Sequence, residues 1–393
     1  MKTSPSILFL ARWYPDRYDP MPGLFIKRHA EVVAEFAQVA VLYLRAAPEN
    51  KPGIEISKSV ENGVYTVKVY YGTKTILPSI LSKPLAGLLF TIAFLKGYAF
   101  LQKDWHKPDI VHVNVLTRLG VFALWLKLVY GINYVITEHW SRYLPITGTY
   151  RGIVRKFLTR IVVRHASAVS TVSRNLAQAM QQHGLQNKHY MLLPNVVDTV
   201  EYSPSAERID TGLKKFIHIS CFEDRSKNIS GLLRTLARLR DLRSDFKCSL
   251  VGEGMDLERM KLLANELNLS PSRVKFTGLL ENQDVVSAYR DASFMVMFSN
   301  YENMPVVISE ALACGLPVVA TAVGGIPEFV NTDNGRLVAA RDEDALLEAI
   351  CFMLDHCHEF DKEKIRQDAV HIFGKPALAL KLKELYSFAN SRP

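Results

Sequence analysis

Glu302 and Glu310 are separated by seven residues in the segment SNYENMPVVISEALACGLPVVATAVGGIPE, residues 299–328. This spacing puts Glu302 in the loop after an apolar stretch and Glu310 about two turns into the helix that follows. A helix starting near Met304–Pro305 aims free backbone N–H groups, those of Met304 and Val306, at an anion and adds the positive end of its dipole. Carboxylates beside a bound anion cannot be its ligands, so they would accept from hydroxyls such as those of a sugar or a ribose. On spacing alone, a surface loop glutamate and a solvated helix glutamate describe the pair better. Gly23 follows Pro20 and Pro22 and precedes a helix. Its backbone can approach a phosphate with no Cβ in the way, or it serves a plain turn. His139 follows an apolar run at 134–137, where ligands of open α/β sheets bind, although a lone strand-end histidine is more often structural. Cys351, His356, Cys357 and His358 crowd together without tetrahedral ligand spacing, so no metal site is expected there.

These residues need elements to hold them. Apolar runs at 7–10, 39–44, 64–70, 110–113, 134–137, 168–172 and 190–193 alternate with helical patterns at 25–36, 85–101 and 119–129. The alternation resumes with runs at 216–220, 248–251, 274–277, 294–298 and 318–321, and a helix at 229–240. Such alternation predicts α/β architecture with doubly wound parallel sheets. A length of 393 residues suits two domains. The connector PNVVDTVEYSP, 194–204, lies where the charge balance changes sign. Residues 1–200 hold 24 Lys+Arg against 11 Asp+Glu, and no acid occurs between Glu138 and Asp198. A half so basic is drawn to an anionic partner. Five cysteines, none in a CxxC pair, fit a reducing compartment. The stretch 85–101 contains Lys96 and Gly97 and is expected to be too short to span a bilayer.

The string around Glu302 and Glu310 resembles the signature of the large retaining "group 1" glycosyltransferase family with the GT-B fold. The resemblance extends along the chain: WYPDRYDPMPGLFIKRHAEVVAEF is similar to the family's glycine loop and first helix, and ITEHWSRY to its His-containing loop. ISCFEDRSKNISGLLRTLARL is similar to its basic phosphate segment. The resemblance implies two Rossmann-like domains facing each other across a deep cleft, with the C-terminal helix crossing back. An acceptor domain would span 1–198, with the helix at about 376–393, and a donor domain 199–375. It implies that Glu302 meets the donor sugar, Glu310 the ribose, and the amides of Met304 and Val306 the diphosphate. Lys227 corresponds to the phosphate lysine, Gly23 to the glycine loop, and His139 to a residue near the reacting sugar. The family's usual arginine falls on Cys221 or Phe222, so Arg225 is the candidate substitute.

The implied activity is transfer of a sugar from a nucleotide-diphosphate sugar to a saccharide or lipid-linked saccharide acceptor, as in cell-surface polysaccharide assembly. A sugar-nucleotide epimerase of related fold is the alternative enzyme. A dinucleotide fingerprint fails after Gly252-x-Gly254, where Leu257 stands in place of glycine. Asp342-Glu343-Asp344 has the form of a metal-binding Asp-x-Asp but precedes the run ALLEAICFML and reads as an acidic helix start. No metal and no cofactor are expected. No RNA-recognition aromatic cluster occurs, so nucleic acid is not an expected partner, which also disfavours the non-enzyme reading as a basic binding module. Lys156, Arg160 and Arg164 recur at four-residue spacing beside Phe157, Leu158, Ile161 and Val162. That face predicts shallow docking on an anionic leaflet, placing the protein in the cytoplasm, peripheral at the inner face of the membrane.

Overall fold

The computed structural model describes residues 4–49, 53–72, 79–116, 118–204 and 213–390. The first sheet contains β1 (Ser6–Ala11), β2 (Gln38–Ala46), β3 (Ile54–Glu61) and β4 (Val64–Tyr71). It continues with β5 (Ile110–Asn114), β6 (Asn133–Glu138), β7 (Ala168–Thr171) and β8 (Tyr190–Leu192). Their order is β3-β4-β2-β1-β5-β6-β7-β8, parallel except for β3. Strands β1 (SILFLA) and β5 (IVHVN) are buried along their whole length and are mostly apolar, with Ser6, His112 and Asn114 as buried polar exceptions. The β3 strand is absent from the sequence-based expectation because IEISKSVE is a largely exposed edge strand with few apolar residues. It joins β4 through Asn62-Gly63, both at positive φ, which is the turn that the twist of a hairpin favours.

Helices α1 (Leu24–Ala34), α2 (Ser79–Asp104), α3 (Arg118–Tyr130), α4 (Ile153–His165) and α5 (Arg174–Gln182) flank this sheet. The α2 helix is longer than the expected 85–101, and its part Leu85–Asp104 is long and apolar enough to cross a membrane by length and composition. The expectation that this stretch is too short is therefore corrected. Gly97 does not interrupt the helix; it faces the sheet, where a Cβ would press on the side chains of Val69 and Leu42. Phe90, Ala93, Phe94 and Leu101 are buried on the same side, and α2 lies on β2 and β4.

The second sheet is wholly parallel, in the order β11-β10-β9-β12-β13-β14. Its strands are β9 (Lys214–Ile219), β10 (Phe246–Val251), β11 (Val274–Gly278), β12 (Phe294–Met297), β13 (Val318–Thr321) and β14 (Gly335–Val338). The short edge strand β14 is also missing from the sequence-based expectation. Helices α6 (Asp224–Lys227), α7 (Ile229–Leu242), α8 (Leu257–Glu266) and α9 (Gln283–Asp291) precede the site helix α10 (Val306–Ala313). After it come α11 (Glu343–His356), α12 (Lys362–Phe373) and α13 (Lys375–Asn390).

Helix α13 packs not on this second sheet but on α1, β6 and β7 of the first. Leu378, Leu382 and Leu385 join the core of Ile7 and Phe9. The Tyr386 hydroxyl meets Nδ1 of the buried His112 at 2.8 Å, whose Nε2 meets Thr137 Oγ1 at 2.6 Å. In both sheets the order reverses beside the first strand, between β1 and β5 and between β9 and β12. Loops diverge at such points and leave a crevice at the carboxyl ends of the strands.

Candidate active site

At the reversal point of the second sheet, β12 leads into the loop that carries Glu302. Oε1 of Glu302 accepts from Ser299 Oγ at 2.9 Å and from Lys227 Nζ at 2.5 Å. Lys227 closes α6, the short helix beyond β9, so the two strands at the reversal supply the two partners. Both side chains are mostly buried. Burial alone would lower the Lys227 pKa, but the Glu302 carboxylate, helped by Cys221 and Glu223, more than offsets it and raises the pKa. The ammonium therefore stays charged. The loop is clamped from behind by Gly324, where φ is +57° and a Cβ would sit 1.9 Å from the Glu302 carbonyl oxygen. That approach explains the glycine in the VGGIPE string.

Two residues on, the chain enters α10 behind Pro305. Among the described residues, no group of the chain receives the amide N–H of Met304 or of Val306. Free amides at a helix start are suited to phosphate oxygens. Glu310 is buried on this helix. Its Oε1 accepts from Arg28 at 2.9 Å, and its Oε2 accepts from the Tyr289 hydroxyl at 3.1 Å. Burial works to lower the Arg28 pKa, while Glu310 holds it above the ordinary value. Burial, and next Glu310, push the Tyr289 hydroxyl well above the usual phenol range. Since Arg28 belongs to α1, this ion pair ties the two sheets' units together.

Gly23 caps α1 at φ +78°, and a Cβ there would lie 2.3 Å from the Trp13 carbonyl oxygen. Gly23→Ala must shift that backbone; the expected cost is about 1–3 kcal/mol, read as a fall in Tm of about 2–10 °C. The next turn of α1 brings Phe25 and His29 against the His139 ring, at centroid distances of 4.5 and 5.6 Å. His139 is buried, and neither ring nitrogen has a hydrogen-bond partner. The Asn195 side chain, whose amide oxygen is likewise unpaired, acts on the ring without hydrogen-bond geometry. Burial, then the neighbouring His29 and His112, drive the His139 pKa well below its usual value, so the ring is neutral. Its loop is shaped by Glu138, whose carboxylate accepts from the N–H groups of Leu116, His139 and Trp140. Burial raises the Glu138 pKa to about 7 against those three donors.

The fold thus gathers Gly23, His139, Lys227, Glu302, Met304, Val306 and Glu310 where the two sheets' loops meet. Arg225 is not among them. It is exposed and lines a separate cavity of about 440 Å³ with Asp224, Asn228, Arg234, Asn300 and Arg341, because the single turn of α6 turns it away from Lys227. Sequence reasoning missed Asn303 and Ser173. Asn303 Oδ1 accepts from Ser173 Oγ at 2.8 Å, and its Nδ2 donates to the His139 carbonyl at 2.9 Å. It also missed Arg28 and the capping of α5 by Glu328, which accepts from the N–H groups of Arg174 and Asn175. Asn303 and Glu328 lie within the signature string and Arg28 within the glycine-loop segment, whereas Ser173 had no such signal. Asp342 of the Asp-x-Asp caps α11 by accepting from Ala345 N at 2.9 Å, and Glu343 and Asp344 pair with Arg234 and Arg238.

Comparison with known proteins bears on the family and the fold. Residues 214–356 match the family described as "Glycosyl transferases group 1", and residues 38–201 match "Glycosyltransferase Family 4". The chain is 26% identical over 293 residues to N-acetyl-alpha-D-glucosaminyl L-malate synthase of Bacillus anthracis, covering 71% of this chain and 74% of that protein. It is 28% identical over 239 residues to N-acetylgalactosamine-N,N'-diacetylbacillosaminyl-diphospho-undecaprenol 4-alpha-N-acetylgalactosaminyltransferase of Campylobacter jejuni, covering 56% and 64%. Anabaena HepE, solved with UDP and glucose, superposes with a TM-score of 0.74 at 19% identity over 97% of this chain and 99% of that one. Its likeness is one of fold. With the two family matches spanning most of the chain in the order of its two sheets, the protein belongs to the group 1 glycosyltransferases of the GT-B fold.

Proposed function

We propose that the protein transfers a sugar, with retention and without a metal, from a nucleotide-diphosphate sugar to a saccharide or lipid-linked saccharide acceptor. The single observation that carries this reading is the convergence of Lys227, Glu302 and the free amides of Met304 and Val306 on one loop and helix start. The diphosphate takes the place of Glu302 on Lys227 and receives the two amide N–H groups. The sugar hydroxyls then donate to Glu302, and the ribose hydroxyls displace Arg28 from Glu310. In the reaction the bond from the sugar's anomeric carbon to the diphosphate oxygen breaks. The acceptor oxygen bonds to that carbon on the same face, and its proton passes to the departing phosphate oxygen. Lys227 and the helix start meet the growing negative charge with fixed positive potential. His139 is neutral, so it adds no charge on the side of the site assigned to the reacting sugar. Arg225 has no part in this.

The curated relatives support the same class. The Campylobacter jejuni protein's name specifies a lipid-linked acceptor, and HepE was solved with UDP. The epimerase alternative is not favoured by these matches. The reading places the protein in the cytoplasm at the inner face of a membrane, in cell-surface polysaccharide assembly. Of the predicted Lys156–Arg160–Arg164 face, Arg160 and Arg164 are exposed, Arg160 donating to the His183 carbonyl, and Ile153, Val154 and Phe157 at the start of α4 add exposed apolar groups to the same helix.

The test is a screen of nucleotide sugars for release of nucleoside diphosphate that depends on added acceptor, with the anomeric configuration of the product read by NMR. Release without any acceptor-linked product, together with an epimerised donor, would overturn the proposal. Excess EDTA is expected to leave the rate unchanged; loss restored by manganese would overturn the metal-free mechanism.

A further inference from the structure

A second cavity, of about 510 Å³, opens at the carboxyl ends of β1, β2, β4, β5 and β6. Arg12, Arg118, Arg142 and Arg155 all line it, and none of the four pairs with a carboxylate among the described residues. Among the described residues, the side chains of Arg118, Arg142 and Arg155 meet backbone acceptors or aromatic faces. Arg118 donates to the Ala86 carbonyl at 3.5 Å, and Arg155 to the Arg151 carbonyl at 3.3 Å. The Arg142 guanidinium lies 3.4 Å from the Trp140 ring centroid, and its buried Nε has no partner. Burial is the main cause that lowers the Arg142 pKa; Arg155 and Arg12 lower it further, against Tyr143 and Glu138, which raise it. Uncompensated guanidinium groups in one concavity make a site for a polyanion with oxygens in several directions.

The remainder of the wall is apolar: Phe90, Val121, Val154, Leu158 and Val162. Next to Val154 and Leu158 on α4, Ile153 and Phe157 are 88% and 61% exposed and make an apolar rim. A sugar phosphate would satisfy the arginines and leave this rim in water. An anion joined to an aliphatic chain would use both. At the inner end Trp140 forms the wall, adjacent to His139 in the chain and edge-to-face with Trp13 at 5.1 Å between ring centroids. Anything held by the arginines therefore lies beside the proposed reaction centre.

We propose that this cavity binds the diphosphate of a polyisoprenyl-type lipid-linked acceptor, with the phosphates on Arg12, Arg118, Arg142 and Arg155 and the aliphatic chain leaving over Val154, Leu158 and Phe157 towards the membrane. This rests on the glycosyltransferase reading and names the acceptor's class. The acid-free stretch between Glu138 and Asp198 supplies Arg142 and Arg155, so its charge serves an internal site as well as the surface.

The test uses farnesyl diphosphate, inorganic pyrophosphate and farnesol as probes on the full chain, with binding read by calorimetry and by quenching of tryptophan fluorescence. Farnesyl diphosphate is expected to bind at least tenfold more tightly than pyrophosphate, and farnesol not to bind. The double variant R142A/R155A is expected to lose farnesyl diphosphate binding at least tenfold while keeping UDP binding, which reports both its folding and the intact donor site. Lys227→Ala should weaken UDP and leave farnesyl diphosphate unchanged, since the two diphosphates occupy different sites. Equal affinity for pyrophosphate and farnesyl diphosphate would assign the cavity to a soluble phosphorylated acceptor and overturn the lipid proposal. So would unchanged farnesyl diphosphate binding in R142A/R155A. Failure of the wild-type chain to bind any of UDP, GDP and ADP would instead strike the glycosyltransferase reading itself, and the nucleotide that binds takes the place of UDP in these controls.

Discussion

Lys227→Ala is expected to lower kcat/KM for the nucleotide sugar by roughly 10²–10³-fold, the usual cost of removing one preorganised donor of positive potential. The same change exposes a second effect. Glu302 is buried and shares one carboxylate oxygen between Lys227 and Ser299. Removing the ammonium strands its charge, and breaking a buried pair from one side costs roughly 3–5 kcal/mol. Activity and stability should therefore fall together in the single variant, which would leave catalysis unproven. The double variant Lys227→Met/Glu302→Gln separates them. It removes both charges, so Tm should return close to that of the wild type while turnover stays lost. A double variant with restored activity would show that the pair only supports the loop.

Stability is expected to fall steeply as pH drops from about 6.5 towards 4. Four buried histidines carry the effect. Burial lowers His29 to about 4, His112 to about 3 and His218 to about 4, and His139 well below its usual value. A base with a depressed folded pKa binds fewer protons when folded than when unfolded. The unfolded chain thus gains protons below 6.5 that the folded chain refuses, and the stability present above 6.5 is lost on acidification. A shift of this size corresponds to on the order of 3 kcal/mol for a single fully buried histidine. Three of the four influence one another, so their contributions do not simply add. Glu138 acts in the opposite sense: raised to about 7, it favours the folded state at low pH and loses that contribution as pH rises from 4.5 to 7. One carboxylate against four imidazoles leaves the histidines dominant. Urea unfolding midpoints at pH 7, 6 and 5 check this, and a flat or rising profile on acidification would refute it.

The alternation of apolar runs was enough to read both parallel sheets, because strands buried on both faces must be apolar at every position. It failed at β3 and β14, which lie at sheet edges and need no such run. The Asn62-Gly63 turn before β4 was the available signal for β3. The 85–101 stretch was misjudged because a glycine in sequence carries no sign of whether it breaks a helix or faces a sheet. Only the packing of Gly97 on Leu42 and Val69 answers that.

The candidate site divides in the same way. Glu302, Glu310, Met304 and Val306 sit on one short loop and helix, so their spacing alone relates them. Sequence-local geometry reaches about two helical turns along one loop and helix, and within that reach residue types and intervals suffice. Lys227 and Glu302 are 75 positions apart, Ser173 and Asn303 130, and Arg28 and Glu310 282. Pairs so distant become neighbours only because each sheet reverses its strand order beside its first strand and α13 returns to the first sheet. The chain's own order therefore specified which chemistry is present, namely paired carboxylates, a helix start and an excess of arginines. Tertiary packing decided which arginine serves which task. It put Arg28 on Glu310, left Arg225 on a different cavity, and set Arg142 and the exposed Arg155 along a cavity where neither pairs with a carboxylate among the described residues. The direction of a long side chain depends on the surface it packs against, and the sequence does not record that surface.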